Sequence, residues 1–246
     1  MKISDWHERF QLQSSWTQNL RSYIFGKVNA QPGQTLLDVG IGTGALLNEY
    51  NARGLQVTGL DLDLENCQYA KLNPAKPTIF NSDAHRMPFK AHQFDLTTTH
   101  YVLLWVQDPA QVVAEMARVT KPGGYVVAFA EPDYHSRIDY PQVFQEIGKI
   151  QNRSLAFQGI DLSMGRKLGH IFRTTGLKDV QLGLLAGQWR LPEQDVFEHE
   201  WDIIAFDLGG FVPVDEILEM KDRALKSWLD GEATVFIPTF YAYGMV

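Results

Sequence analysis

The stretch Leu36-Leu37-Asp38-Val39-Gly40-Ile41-Gly42-Thr43-Gly44 reads as a buried strand, a glycine turn and the start of a helix. Glycines at 40 and 42 let a ligand lie against the backbone where a side chain would block it, and glycine tolerates positive φ. The helix start that follows would offer free N–H groups. Dinucleotide enzymes use a related turn, but with the spacing G-x-G-x-x-G rather than G-x-G-x-G. Asp38, two residues before the first glycine, is awkward beside a pyrophosphate. It suits a ligand that carries an ammonium and a sulfonium. The plain alternative is a tight turn in an α/β protein.

Two further acids follow in the same pattern. In Gly59-Leu60-Asp61-Leu62-Asp63, Asp61 ends a second strand. It could accept hydrogen bonds from both hydroxyls of a ribose, with Leu62 against an adenine face. A helix N-cap is the other role open to it, although Asp63 fits that role better. In Asn81-Ser82-Asp83-Ala84-His85-Arg86-Met87-Pro88-Phe89, Asp83 follows a third strand. Its carboxylate could take the adenine amino group while the Ala84 N–H reaches a ring nitrogen. Read singly, it is an ordinary loop aspartate. Together the three segments fall at the carboxyl ends of successive strands, where open α/β sheets bind ligands.

The elements that position them alternate. Strands are expected at Thr35–Val39, Val57–Leu60, Thr78–Asn81, Phe94–Thr98 and Tyr125–Ala130. Helices are expected at Ala45–Arg53, Leu64–Leu72 and Pro109–Arg118, and Lys121-Pro122-Gly123-Gly124 reads as a turn. This rhythm predicts a parallel sheet with helices on both faces. Before it, Trp6, Phe10, Leu12, Trp16, Leu20, Tyr23, Ile24 and Val28 recur at helical spacing, with Asp5 as a candidate cap. After Glu131 the rhythm breaks. Helices are expected at Phe144–Phe157, Leu168–Thr175, Asp195–Phe206 and Val214–Leu229, and strands at Val180–Ala186 and Thr234–Tyr243. One domain over residues 1–246 is expected, with inserted helices around 135–160 and 193–210.

Bulk composition narrows the classes of function. With 246 residues, 45% hydrophobic and 21% charged, the chain has an ordinary globular composition. Apolar runs are strand-sized, so no membrane span is expected. The polar start, Met1-Lys2-Ile3-Ser4-Asp5, has no apolar signal core, and a cytoplasmic location is the default expectation. A single cysteine, Cys67, excludes an internal disulfide and a cysteine metal cage; with no activating partner beside it, it reads as a small helix residue. The net charge of −7 and the lack of a dense Lys/Arg run favour a small-molecule partner over nucleic acid.

At these residues the sequence resembles the class I (Rossmann-like) S-adenosylmethionine-dependent methyltransferases, and the small-molecule type that includes the ubiquinone/menaquinone-biosynthesis group. The likeness runs from about Thr35 to Glu131. It includes Leu37–Gly44, Gly59–Asp63, Ser82–Phe89, Phe94 through Pro109 and Arg118–Gly124. It implies a three-layer α/β sandwich: a seven-stranded, mostly parallel sheet whose last strand is antiparallel and inserted between two others. Residues 1–30 would form a helical lid, 35–131 the cofactor-binding core, and 132–246 the insertions and the rest of the sheet. S-adenosyl-L-methionine would be the cofactor, with S-adenosyl-L-homocysteine as product. Asp38 and Gly40 would lie near its methionine part, with Ile41, Gly42 and Gly44 completing the turn. Asp61 would hold the ribose, and Leu62, Asp83 and Ala84 would surround the adenine. Thr99 and His100 would lie on the sulfonium side, and Arg21 would meet the carboxylate unless it is simply a solvated helix-face arginine.

Methyl transfer from a sulfonium is an in-line displacement in which the protein mainly aligns the partners and excludes water. A base is needed only when the nucleophile must lose a proton early. His100 is the first candidate for acid/base or acceptor-orienting work and His135 the second; the bland role for each is a polar pocket wall. Trp16, Tyr101 and Tyr134 are candidates to line an acceptor pocket, against ordinary packing. The aromatic residues Trp6, Tyr23, Phe25, Trp189, Phe197, Trp201 and Phe206 could enclose a planar or greasy acceptor such as a quinone, phenol or polyketide, although their helical spacing favours core packing. His199-Glu200 and Asp202 lack a clear ligand pattern, and no catalytic metal is expected. The rival readings are a nicotinamide oxidoreductase, a non-catalytic cofactor binder, and an RNA or protein methyltransferase. Against the last stands Thr98-Thr99-His100-Tyr101, where an Asn/Asp-Pro-Pro-Tyr motif would point to an amide or base nitrogen.

Overall fold

The computed structural model describes residues 2–185 and 194–246. In chain order the helices and strands are α1 (Ile3–Trp16), α2 (Gln18–Lys27), β1 (Thr35–Val39), α3 (Leu47–Ala52), β2 (Gln56–Asp61), α4 (Leu64–Ala70), β3 (Thr78–Asn81), β4 (Phe94–Thr99), α5 (Pro109–Val119) and β5 (Thr120–Pro132). They continue with β6 (Ile138–Tyr140), α6 (Gln142–Phe157), α7 (Met164–Thr174), β7 (Lys178–Leu185), α8 (Gln194–Leu208), α9 (Val214–Leu229), β8 (Thr234–Phe236) and β9 (Thr239–Met245). Contacts divide the chain into two units. The first comprises Met1–Glu131, Gly165–Leu185 and Phe240–Val246, and the second Pro132–Met164 and Ala186–Thr239.

In the first unit seven strands form a sheet in the order β3-β2-β1-β4-β5-β9-β7. The β1–β2, β1–β4, β2–β3 and β4–β5 pairs are parallel, and one strand of the seven runs antiparallel, the Rossmann-like arrangement the family likeness implies. Leu36, Leu37, Val39, Leu60, Leu96 and Val126–Ala130 are buried, as expected for parallel strands covered on both faces. Local signals set the flanking helices. The Asp63 carboxylate accepts the Glu65 and Asn66 N–H groups at the start of α4. Asp108 does the same for Gln111 at the start of α5, where Pro109 needs no N–H partner. Val112, Val113, Met116 and Val119 form the buried stripe of α5.

Several boundaries differ from those expected. The N-terminal helical run breaks at Thr17, and Asp5 is not the N-cap; it lies one turn in and accepts the Lys2 N–H at 2.8 Å. The helix after the glycine turn begins at Leu47 rather than Ala45, because residues 42–46 remain in turns. Lys121–Gly124 are absorbed into β5 as an irregularity: Phe94 pairs with Thr120 but Leu96 with Tyr125. Gly123 takes φ +80° there, and Gly123 and Gly124 exchange hydrogen bonds of 3.0 Å with Val246. Thr234–Tyr243 is two strands rather than one, separated at Ile237-Pro238. Proline cannot donate to a ladder.

The second unit has its own core, formed by Val143, Phe144 and Ile147 of α6, Phe197, Trp201 and Leu208 of α8, and Ile217, Met220 and Ala224 of α9. Phe197 and Trp201 stack there with centroids 5.7 Å apart, so helical spacing reported packing for this pair. β8 pairs antiparallel with β6 in a small ladder from Ile138↔Phe236 to Tyr140↔Thr234. Three residues are too few for an alternation signal, and β6 is not legible in the sequence. Trp189 and the start of the expected 193–210 insertion lie outside the described residues. No helix among the described residues is long and apolar enough to cross a membrane.

Candidate functional site

Parallel register brings the chemistry-bearing segments to one sheet edge. Asp38 pairs with Gly59 on one side and Thr98 on the other, and Asp61 pairs with Asn81. The chain leaving β1 turns through Gly40, Gly42 and Gly44 at φ +70°, +55° and +82°. A Cβ on Gly40 would lie 2.4 Å from Val102 Cγ2, and one on Gly44 would lie 2.5 Å from Leu47 Cδ1. The N–H groups of Gly40 and Ile41 donate to the Leu60 carbonyl at 2.7 and 3.0 Å, and that of Gly44 donates to Ile41 at 3.0 Å. The Gly42 N–H donates to Asp61 Oδ2 at 2.7 Å. The N–H groups of Gly40, Ile41, Gly42 and Gly44 are thus spent inside the protein, and α3 starts only at Leu47. A pyrophosphate cradle needs such donors free. The Ile41 side chain packs with Leu47, Cys67, Ala70 and Ile79. Cys67 is buried in that cluster, as a small helix residue should be.

Asp61 accepts the Asp63 N–H through its other oxygen at 2.9 Å, and Asn81 Nδ2 braces the segment through the carbonyls of Asp61 and Leu62 at 3.1 and 2.7 Å. Leu62 is 73% exposed, an apolar face open to a planar group. Asp83 accepts the His85 N–H at 2.9 Å and contacts His85 Nδ1 at 2.7 Å. Those contacts hold its carboxyl below the usual range. His85 Nε2 accepts the Asp108 N–H at 3.2 Å, which places the proton on Nδ1. Ala84 opens the short 3-10 turn that follows Asp83.

Asp38 is buried. Thr98 Oγ1 and the Tyr50 hydroxyl donate to its Oδ1 at 2.9 and 3.3 Å. Burial pushes the carboxyl up to about 7, opposed by those two hydroxyls and the Arg21 charge. Strand alternation separates the threonines of β4. Thr97 contacts Thr120 and the Met116 carbonyl at 2.8 and 3.5 Å on the α5 side, so Thr99 falls on that face too. Its buried hydroxyl has no hydrogen-bond partner among the described residues. Thr98, which the sequence did not single out, is the threonine that meets Asp38.

Arg21 is no solvated helix-face residue; it is 2% exposed. Its Nε donates to Glu49 Oε2 at 2.8 Å and its Nη1 to Thr17 Oγ1. Its charge is thus already compensated. Thr17 Oγ1 lies 2.8 Å from His100 Nε2. Burial first and the Arg21 charge second push the His100 imidazole down to about 3, so the ring is neutral at physiological pH. Tyr101, at φ +56°, donates its N–H to the Ala130 carbonyl at 2.9 Å and sets its ring edge-on to His100 at 4.5 Å. Trp16 is 44% exposed, with the Arg9 guanidinium 5.3 Å from its ring. α1 reaches the glycine turn directly, since His7 Nδ1 lies 2.8 Å from Thr43 Oγ1 and Phe10 is the side chain nearest Gly42.

Glu131, at the end of β5, carries the other buried carboxylate of this edge. It accepts the N–H groups of Val102, Leu103 and Leu104 at 3.1, 2.9 and 3.1 Å. Burial pushes it up to about 7 against those three donors. It pins the loop that follows His100 and so sets Val102 against Gly40. In sequence it is merely an acid after an apolar run, without a spacing signal. His135 and Tyr134 belong to the second unit, in a 3-10 turn over Tyr134–Ser136. His135 is exposed and its Nδ1 lies 2.8 Å from Ser163 Oγ; the Tyr134 carbonyl accepts from Asn152 at 3.0 Å. Among the described residues no three His, Cys, Asp or Glu side chains are grouped to hold a metal.

A mostly parallel sheet with a glycine turn after β1, acids at the carboxyl ends of β1 and β2 and another after β3 is the arrangement that the class I methyltransferase likeness implies. Residues 37–128 match the methyltransferase domain family. Over those residues the chain is similar to that family. It is 36% identical over 147 residues to a demethylmenaquinone methyltransferase of Renibacterium salmoninarum, covering 58% of this chain and 62% of that one. To a ubiquinone biosynthesis O-methyltransferase of Vibrio cholerae it is 36% identical over 111 residues, covering 43% and 45%. The chain therefore spans less than two thirds of the length of either relative. A phosphoethanolamine N-methyltransferase of Haemonchus contortus, solved with phosphomonomethylethanolamine and S-adenosylhomocysteine, superposes with a TM-score of 0.59 at 18% identity, covering 96% of this chain and 56% of that one. At that identity the likeness shows the fold.

Proposed function

We propose that this chain transfers a methyl group from S-adenosyl-L-methionine to a small-molecule acceptor with a phenol- or quinol-type nucleophile. The observation that carries this reading is the glycine turn, where the N–H groups of Gly40, Ile41, Gly42 and Gly44 are committed internally while the strand before it bears the buried acid Asp38. Such a turn offers close backbone approach without a phosphate cradle, and suits a cationic nucleoside better than a dinucleotide. The names of the curated relatives support the acceptor class.

Asp38 and Gly40 would hold the methionine part of the cofactor, Asp61 the ribose, and Leu62, Asp83 and Ala84 the adenine. Ile41, Gly42 and Gly44 shape the turn. Arg21, already paired with Glu49, serves the site from behind His100 rather than by gripping a carboxylate. When bound, the cofactor supplies a methyl already activated on a sulfonium. The protein needs to orient the nucleophile and exclude water. His100, held neutral, is suited to accept a hydrogen bond from the acceptor rather than to store its proton. Helix α1 covers the glycine turn through His7 and Phe10 and acts with α2 as the proposed lid.

Calorimetric titration with S-adenosylmethionine, and separately with NADH, tests this. Micromolar binding of the first alone, followed by S-adenosylhomocysteine formation with a panel of phenols and quinols, is the expected result. Binding of NADH alone overturns the reading.

A further inference from the structure

We propose that Thr17 is a positioning residue that holds His100 in the Nε2–H tautomer, leaving a bare Nδ1 lone pair for the methyl acceptor. The inference rests on the methyltransferase reading of the His100 site, and it adds a residue from the N-terminal helices to that site.

The argument is one of counting protons. A threonine hydroxyl has one proton and two lone pairs. Arg21 Nη1 can only donate, so it occupies one lone pair of Thr17 Oγ1. The Ser14 carbonyl, 3.2 Å away, can only accept, so it takes the hydroxyl proton. The lone pair that remains faces His100 Nε2 at 2.8 Å, and Nε2 must then carry the hydrogen. The opposite assignment, with the hydroxyl donating to Nε2, leaves the Ser14 carbonyl with the Thr17 N–H alone, at 3.3 Å, and the group one hydrogen bond short. Arg21 cannot turn away to relax the constraint, because its Nε and Nη2 are both on Glu49. These helices meet at Thr17, and the residue lies fully buried.

The neutral ring beside the guanidinium then has no proton on Nδ1. That atom makes no hydrogen bond with the described residues, and it is not among the buried polar atoms lacking a partner. A nucleophile bearing an O–H or N–H finds there a lone pair of fixed direction. Thr17 does not touch the reacting atoms; it acts through His100.

The test uses the full chain with 15N-labelled histidine imidazoles at neutral pH, read by long-range 1H–15N correlation and assigned with His100→Gln. In the wild-type protein a protonated Nε2 and a bare Nδ1 are expected for His100. Thr17→Val keeps the shape and removes the hydroxyl, and should scramble the tautomer; Thr17→Ser keeps the hydroxyl and should restore it. With a catechol as acceptor probe, Thr17→Val should lower kcat about tenfold, the scale of one hydrogen bond, with KM for S-adenosylmethionine unchanged. A wild-type spectrum with the proton on Nδ1 overturns the proposal without recourse to any variant. So does a Thr17→Val protein with an unaltered spectrum, or one with a scrambled tautomer and full turnover. If the wild-type protein shows the expected tautomer but fails to bind S-adenosylmethionine, the tautomer assignment stands and the methyl-transfer reading falls.

Discussion

Replacing Glu131 by glutamine exchanges one carboxylate oxygen for an NH2 in a pocket built from backbone donors. Val102 and Leu103 donate to Oε1 and Leu104 to Oε2. A glutamine carbonyl can keep the first two, but its NH2 then faces the Leu104 N–H. Against the ionised side chain one hydrogen bond is lost and a buried donor is left unpaired, at a cost of about 1–3 kcal/mol; the protonated acid carries a hydrogen that faces those donors as the amide does. The cost depends on pH. Burial pushes the Glu131 carboxyl up to about 7, whereas in the unfolded chain it titrates near ~4.3. Between those values the native protein holds a proton that the unfolded chain has released. Stability from this group is therefore fully present at acid pH and is lost as pH rises through about 7. At about 1.4 kcal/mol per pH unit, the wild-type protein loses roughly 2 kcal/mol between about pH 5.5 and pH 8 from Glu131 alone. Glutamine does not titrate, and Asp38 is common to both proteins. The deficit of Glu131→Gln should therefore shrink by roughly 2 kcal/mol over that range, measured by urea unfolding followed by tryptophan fluorescence. A deficit that is constant, or that grows with pH, refutes the reasoning.

Gly40→Ala should destabilise the protein by about 2–4 kcal/mol, since the new Cβ meets Val102 Cγ2 at 2.4 Å and φ is +70°; urea unfolding reads it. Asp38→Asn keeps a carbonyl for the Thr98 and Tyr50 hydroxyls and removes a buried acid whose contribution falls as pH rises through about 7. Its stability at about pH 8 should equal or exceed the wild type, while calorimetry shows S-adenosylmethionine affinity lower by at least about tenfold. Asp61→Ala should weaken that affinity by about 1.5–3 kcal/mol, the scale of hydrogen bonds to a charged group. Unchanged affinity would place the ribose elsewhere.

Much of the first unit was legible in the sequence because its signals are local. Runs such as Leu36–Val39 and Tyr125–Ala130 need no partner to announce a buried strand, and Asp63 and Pro109 mark helix starts through the first turn alone. The glycine turn was legible for a related reason: close backbone approach restricts residue type at fixed positions, as at Gly40 against Val102. Turn chemistry was legible at Gly123-Gly124 as well, but whether such a segment leaves the sheet depends on a neighbour, here Val246, that lies far along the chain. The three-residue β6 exists only because β8 lies beside it.

The polar partners of the site were decided by tertiary structure alone. Arg21 reads as a helix arginine until Glu49, 28 residues on, meets its guanidinium. Thr98 and Thr99 are equivalent in sequence, and only the pleat separates the one that meets Asp38 from the one turned to the α5 side. Glu131 collects three N–H groups from a loop about thirty residues upstream, and Thr17 meets His100 across 83 residues. Such pairings leave no period in the chain. A hydrogen bond depends on where two atoms stand to within a few tenths of an ångström, and that position is set by the packing of the whole sheet and its helices rather than by neighbours in the sequence.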